Sequence, residues 1–588
     1  MARRDAQLTP LLALTLLVSS PAQQDLQGIV RHARHAQAEF EQTRRWYLPH
    51  EYASGRCDER IGRFCYWHGD GSDEHPPPEP RPIGLARSRL VGVLDSAARL
   101  LPADGWIVGQ LVRYLVEDGR AQDALAAARA CRAASWWCAA LAGFALHAAR
   151  DFAAADSAYR VALDSMPADE RCRWTDVSVL LDGELARRYR SLGCADREAL
   201  AARLWWLAQP LLSVAGNDRR TEHFARVTMT RLMRDARTAY GIAWSWDLDE
   251  LTLRYAWPAW WARQETRPGQ LDAEVGVIGH EAAPGFHFIP DAHAVLDPAR
   301  AREDDWQPGS PGARERYQPT YTDTLVALPH QTAVFHHGDS ALVVAAYDLS
   351  GDARFQGAAL EAALVLAPDE RTTPRVGRLS SARSRGVVTA TAPWAPLLVS
   401  LEVIAPGTRR VARARYGWRA ASGSGQALLS DLLMFGPPDP PDPPDPPDLP
   451  EPSDLPEPAD SLPPPTLAAA LPHALGSGVV RLDRKLGLYW ELYEPDPPGQ
   501  LVTTSVAVVP VKDGWLHRLA AAVGVAGKRK AVRLEWQEVP EGRGAIYGRA
   551  LAIDLSGLTP GRYRLELTVR TPAGESETAG REIRVVRP

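Results

Sequence analysis

Several things are missing from this 588-residue chain, and each absence excludes a class of protein. After the first few residues there is no run of 18 unbroken apolar residues, so no later segment is built to cross a bilayer as a helix. No CxxC or CxxCH occurs, which argues against a zinc knuckle, a thioredoxin-type site and covalent haem. HExxH, GxSxG, GxxxxGK[ST] and a GxGxxG following a strand are also lacking. Charge is nearly balanced at −5, so nothing resembles the basic footprint of a nucleic-acid binder. No motif specifies a reaction, and no cofactor is expected.

Cysteine is scarce too, and its placement is informative. The six cysteines all precede residue 195: Cys57, Cys65, Cys131, Cys138, Cys172 and Cys194. The first 22 residues have the features of an export signal. Arg3 and Arg4 form a basic start, Leu11 to Val18 is a short apolar stretch, and Ser20-Pro21-Ala22 offers small residues for cleavage. An even number of cysteines in an exported chain reads as disulfides, and pairing between neighbours (57–65, 131–138, 172–194) is expected. The expected location is periplasmic or associated with the outer surface.

Residues 437–465 carry an acid at every third position among prolines: Asp439, Asp442, Asp445, Asp448, Glu451, Asp454, Glu457 and Asp460. Polyproline II has three residues per turn, so these carboxylates would line one edge of a rod of roughly 90 Å at ~3.1 Å per residue. Such a tract predicts a spacer holding one folded body away from another. With these eight acids set aside, the rest of the chain is about +3, close to neutral for its size.

An apolar content of 45% supports ordinary cores, and the length predicts several domains. The boundaries we expect are a signal at 1–22, a Cys-containing helical and loop segment at 23–95, an alanine-rich helical domain at 96–215, an α+β segment at 216–314, a β-sandwich at 315–435, the acidic linker at 436–466 and a second β-sandwich at 467–588. In the helical domain, Gly143, Ala155, Tyr159, Ala162 and Pro167 match the small, aromatic and terminating positions of a tetratricopeptide unit. Gly119 and Ala124 mark a weaker unit before it. One unit cannot bury its own face, so a stacked array is expected, extending to LWWLAQPLL at 204–212. Of the nineteen tryptophans, fourteen precede residue 307; we read them as large side chains stapling these layers, with an aromatic platform for sugars or peptides as the alternative.

The densest aromatic text is AYGIAWSWDLDELTLRYAWPAWWARQE. Leu251, Leu253 and Tyr255 alternate with polar residues, which predicts a strand ended by Pro258. This stretch resembles the GWxTD-domain family of exported bacterial proteins, in which a Gly-Trp-x-Thr-Asp turn leads into a strand ending near Tyr-Gly-x-Pro. Matching Tyr255-Ala256-Trp257-Pro258 to that ending sets Trp244 on the family Trp and Asp247 on its Asp. The family Gly and Thr are Ala243 and Trp246 here. The family has no assigned biochemical role, so the resemblance implies architecture and not an activity.

From 315 onward β-signals dominate, with runs at 342–347, 397–404 and 411–418. The apolar run 427–435 is expected to be the last strand of the first sandwich. In the second sandwich Leu486, Leu488, Trp490 and Leu492 alternate with outward residues, as do Val532, Leu534 and Trp536. Leu558, a Pro-Gly pair and Tyr563 resemble the tyrosine corner of immunoglobulin-like and fibronectin-like sandwiches, in which the Tyr hydroxyl bonds back to the backbone.

Two clusters are candidates for chemistry. Trp244, Trp246, Asp247, Asp249 and Glu250 suggest a glycoside hydrolase, a calcium site or acids capping a turn. His280, Glu281, His287, Asp291 and His293 are the right donors for a metal, but Pro284 and Pro290 break any helix that would align them. The balance favours an exported multidomain protein without catalysis that mediates protein–protein interaction or cell-envelope assembly through unidentified protein partners. The alternatives are a hydrolase using 244–293 and a carbohydrate-binding module displaying Tyr489 and Tyr493.

Overall fold

The computed structural model describes residues 21–52, 58–67, 77–265, 276–280, 285–310, 312–420, 428–436, 466–493, 499–511, 531–540 and 546–588. The chain divides into two units, both of mixed α and β content. The first comprises Met1–Leu181, Gly216–Gly285 and Pro311–Tyr317; the second comprises Asp182–Ala215, Phe286–Ser310 and Gln318–Pro588. Residues 1–20 of the expected signal at 1–22 lie outside the described residues, as does the acidic tract at 437–465; residues 21 and 22 begin the first helix. No described helix is long and apolar enough to cross a membrane.

The first unit is a stack of helices: α1 (Pro21–Tyr47), α2 (Arg81–Leu100), α3 (Gly105–Glu117), α4 (Ala121–Ala130), α5 (Ser135–Ala148), α6 (Phe152–Ser165), α7 (Ala168–Trp174), α10 (Asp218–Arg234) and α11 (Trp246–Tyr255). From α1 to α6 each helix packs on the next, and α10 lies against α3, α5, α6 and α11. Asp104 starts α3 by accepting from the backbone N–H groups of Trp106 and Ile107. Ile107, Leu111, Val112 and Leu115 then recur at helical spacing and are buried. Between α5 and α6, a Cβ at Gly143 would come within 3.0 Å of the Tyr159 ring, so glycine permits the close approach. Ala155 and Ala162 are fully buried beside it, and Pro167 precedes the first residue of α7. Cys131 at the end of α4 is bridged to Cys138 in α5. Cys65, Cys172 and Cys194 are also oxidised, while Cys57 lies outside the described residues.

Among the described residues, five short strands belong to this unit. β1 (His50–Tyr52), β4 (Trp260–Glu265) and β5 (Val277–His280) form one sheet in the order β1-β4-β5. β2 (Glu59–Ile61) and β3 (Phe64–Tyr66) form a hairpin. The strand expected over 251–255 is the helix α11 instead. Leu248, Leu251, Thr252 and Tyr255 fall at i, i+3, i+4 and i+7, and this helical spacing prevails over the two-residue alternation.

The second unit contains two sandwiches. In the first, β6 (Thr324–Ala327), β9 (Leu360–Ala367), β10 (Arg375–Ala382), β12 (Leu397–Ala405) and β13 (Arg410–Trp418) form a sheet ordered β10-β9-β12-β13-β6. Against it lie β7 (His330–His337), β8 (Ser340–Asp348) and β11 (Arg385–Pro393), ordered β11-β8-β7. Val343, Tyr347, Leu364, Leu366, Val399 and Leu401 are among the residues that fill the space between them. The helices α8 (Gly183–Ser191), α9 (Cys194–Ala208) and α12 (Ala292–Leu296) belong to this unit, so the segment 204–212 expected in the helical array is part of the second unit. It is anchored by charge. Glu402 accepts from the N–H groups of Leu212 (2.8 Å) and Ser213 (3.0 Å), and Arg415 donates to the carbonyls of Leu207 and Gln209.

The second sandwich comprises β14 (Leu433–Phe435), β15 (Val479–Arg481), β16 (Lys485–Tyr493), β17 (Val502–Pro510), β18 (Val532–Glu538), β19 (Ile546–Asp554), β20 (Gly561–Arg570) and β21 (Ser576–Val586), entered through a short helix α13 (Leu467–Ala470). Its sheets are ordered β14-β16-β19 and β15-β21-β20-β17-β18. Tyr563 is buried, and its hydroxyl donates to the carbonyl of Thr559 at 2.8 Å. The placement of β14 corrects the sequence expectation. The run 427–435 does not close the first sandwich; Leu433–Phe435 pairs with Gly487–Tyr489 of the second. The N–H of Gly436 also donates to the carbonyl of His473, and that of Leu475 to the carbonyl of Met434. Residues on both sides of the acidic tract are therefore held in one sandwich, which removes the basis for a strut between separate bodies. Ala333, Phe335, Val344, Leu433, Phe435, Ala470 and Tyr489 form an apolar cluster shared by the two sandwiches.

Candidate functional site

The tryptophan-flanked acids lie on the first turn of α11, where carboxylates suit the positive end of the helix. Asp247 is 2% exposed and fully engaged. It accepts from the Arg63 guanidinium at 2.6 and 2.7 Å, from the Arg63 backbone N–H at 3.1 Å and from the Leu248 N–H at 2.9 Å. Burial alone would raise its pKa, but the bonds from Arg63 outweigh that and hold the carboxyl below its ordinary value. Asp249 accepts from the Trp244 indole N–H at 2.9 Å and pairs with Arg234 at 3.2 Å. Glu250 pairs with Arg254 and Arg314. The Trp246 side chain is 62% exposed.

Sequence inspection missed the partners of these acids. The hairpin β2–β3 brings Glu59 and Arg63 to α11. Arg254 is buried and makes a bidentate pair with Glu59 at 2.7 Å on each nitrogen. The Arg254 hydrogen bonds lower the pKa of Glu59, and Tyr66 stacks on Tyr255 with ring centroids 3.7 Å apart. The signal in the sequence is the pair of opposite charges at Glu59 and Arg63 between Cys57 and Cys65. A retaining or inverting glycosidase needs two carboxyls facing a substrate, one to donate a proton and one to attack or activate water. Here each acid is committed to arginine or tryptophan, and the arrangement locks the hairpin to the helix.

Among the described residues the candidate metal ligands do not form a group. His280 stacks on Trp260 with centroids 3.6 Å apart and bonds to Glu51 at 2.7 Å. His293 pairs with Asp305 at 3.1 Å, and Asp291 precedes the first residue of α12 and donates from its backbone to the Asp305 carbonyl. His287 donates from its backbone to Pro308. Glu281 lies outside the described residues. Among the described residues no three His, Cys, Asp or Glu side chains are grouped to hold a metal ion.

In the second unit, Glu491 is buried where the two sandwiches meet. It accepts from the hydroxyls of Tyr489 (3.3 Å) and Tyr493 (3.4 Å), and His337 of the first sandwich lies 3.1 Å away. Tyr489 is 2% and Tyr493 8% exposed, so neither ring is displayed as the carbohydrate-binding alternative required: both are core. Burial raises the pKa of both phenols, with Glu491 adding to it, so they remain protonated donors.

No family model matches the chain, and no curated protein matches it. Among solved structures, red sea bream transglutaminase is 11% identical with a TM-score of 0.13, covering 59% of this chain and 44% of that one. Escherichia coli alpha-2-macroglobulin activated by porcine elastase is 14% identical with a TM-score of 0.14, covering 46% and 23%. The chain spans less than half of each, and scores of this size establish no common fold.

Proposed function

We propose that this is an exported, non-catalytic protein that binds other proteins, in assembly or upkeep of the cell envelope. The observation that carries this reading is the run of helices α1 to α6, each packed on the next. Stacked helical pairs of this kind offer extended surfaces to peptides and helices. Large apolar side chains remain on that surface, with Trp46 72%, Leu85 64% and Leu100 64% exposed. The Gly143–Tyr159 approach supports assigning α5–α6 as a tetratricopeptide-like unit. Ala256, matched to the glycine of the GWxTD ending, has φ 74° and ψ 173°, a conformation natural to glycine, which supports that kinship. The Tyr563–Thr559 bond supports an immunoglobulin-like or fibronectin-like second sandwich. The Cys131–Cys138 bridge is compatible with an oxidising compartment.

The test is photo-crosslinking of the whole chain in its native envelope, with the crosslinker at Leu85 or Leu100. One reproducible protein adduct, lost when the neighbouring surface is made polar, is the expected outcome. No adduct from either position would remove the reading.

A further inference from the structure

We propose that the chain self-associates as a two-fold dimer through β18, which pairs antiparallel with β18 of a second copy. β18 ends its sheet: among the described residues it pairs with β17 alone, leaving one backbone edge free. Its sequence, VRLEWQE, has no proline or glycine to interrupt a further ladder. On its inner face Trp536 packs against the sandwich core and lies 6.3 Å from Trp490. Val532 and Leu534, on the same face, are each 51% exposed, and Ile546 on β19 is 41% exposed. A buried sandwich face thus continues out to solvent at this flank.

The charges on the outer face select the occupant. Arg533 and Glu535 are exposed and flank Leu534 with opposite signs. Opposed residues in an antiparallel pair point to the same face of the sheet. If two copies meet with Leu534 against Leu534, Arg533 of each faces Glu535 of the other, twice. The same register sets Val532 against Trp536, also twice, and keeps the apolar face continuous. Sliding to the neighbouring register that preserves the faces centres the pair on Arg533 or on Glu535, which opposes like charges. The strand therefore complements itself in one register. Glu538 does not compete, because it is held by Arg549 at 2.6 Å and by the Trp536 indole at 3.1 Å.

The test uses the full oxidised chain in sedimentation equilibrium. The expected result is a concentration-dependent monomer–dimer equilibrium. Arg533→Glu opposes acids at both crossings and should weaken it by roughly tenfold or more. The double variant Arg533→Glu/Glu535→Arg restores the opposite pairs and should recover the dimer. A chain that stays monomeric up to its solubility limit overturns the proposal. So does a dimer indifferent to Arg533→Glu, or one weakened by it but not restored by the double variant, since that pattern reports damage to the strand and not pairing.

Discussion

Cutting the chain inside the acidic tract should leave the two sandwiches together. The perturbation is a specific protease site placed between Pro437 and Pro465, with and without Phe435→Ala. After the cut, β14 belongs to the upstream piece yet remains an edge strand of the downstream sheet. Beyond its ladder, the backbone N–H of Tyr493 donates to the Leu428 carbonyl at 3.1 Å and that of Ser430 to the Glu491 carbonyl at 2.9 Å, and the Gln331 amide donates across the cut to the Leu475 carbonyl. Phe335, Val344, Leu433, Phe435 and Tyr489 are each no more than 2% exposed in the shared cluster. Of these, Leu433 and Phe435 of the upstream piece and Tyr489 of the downstream piece lie on the strands that pair across the cut, and at ~1.5–3 kcal/mol per buried side chain these three contribute about 5–9 kcal/mol before association costs. Phe435 is central, since a Cβ on Gly487 would come 2.5 Å from its ring and the facing strand leaves that space for it. Truncating it should cost about 3–5 kcal/mol, or roughly two to nearly four powers of ten in affinity between the pieces. Native gel filtration reads the result. Cut parent protein should elute as one species, and cut Phe435→Ala as two at low concentration. Parent pieces that separate freely would refute the shared-core argument.

Three further outcomes follow from single sites. Ala256→Gly relieves a backbone conformation that costs a side chain about 1–3 kcal/mol, so it should raise the thermal midpoint of the helical unit, followed by circular dichroism. Asp247→Asn leaves Arg63 without its charge partner and should cost roughly 1–3 kcal/mol at neutral pH. Because the folded-state pKa of Asp247 is depressed, its contribution is complete above the ordinary value of 3.8 and is lost as pH falls through the folded value; stability titrations of parent and variant should therefore converge in acid. Tyr563→Phe removes the bond to the carbonyl of Thr559, which water can then reach, and should cost about 0.5–1.5 kcal/mol in denaturant unfolding of the second unit.

Local patterns in the sequence carried most of the elements. Gly143, Ala155, Tyr159 and Ala162 announced the α5–α6 pair because close packing needs small residues at fixed spacing, and that spacing is visible without a structure. The strands over 342–347, 397–404 and 411–418 lie within β8, β12 and β13, since apolar runs of that length have few other solutions. The segment 246–255 went wrong because its residues satisfy both periods. Beyond the local spacing, contacts from far away in sequence hold the helix in place: Arg63 grips Asp247 and Glu59 grips Arg254.

The same reasoning explains why the acidic tract misled. Its three-residue period is a local property, and locally it does predict an extended rod. Whether a rod separates two bodies depends on where its ends are attached, which is long-range information. β14 is only three residues, too short to reveal its partner strand by pattern, and its side chains are apolar on both faces because one serves the second sandwich's core and the other the cluster shared with the first. That two-sided burial is the readable clue. A strand at the end of an isolated sandwich, next to a solvated spacer, would be expected to alternate, whereas Leu433-Met434-Phe435 does not. An unbroken apolar strand beside a polar tract therefore argues that another folded layer covers it, and here that layer is supplied by both sandwiches at once.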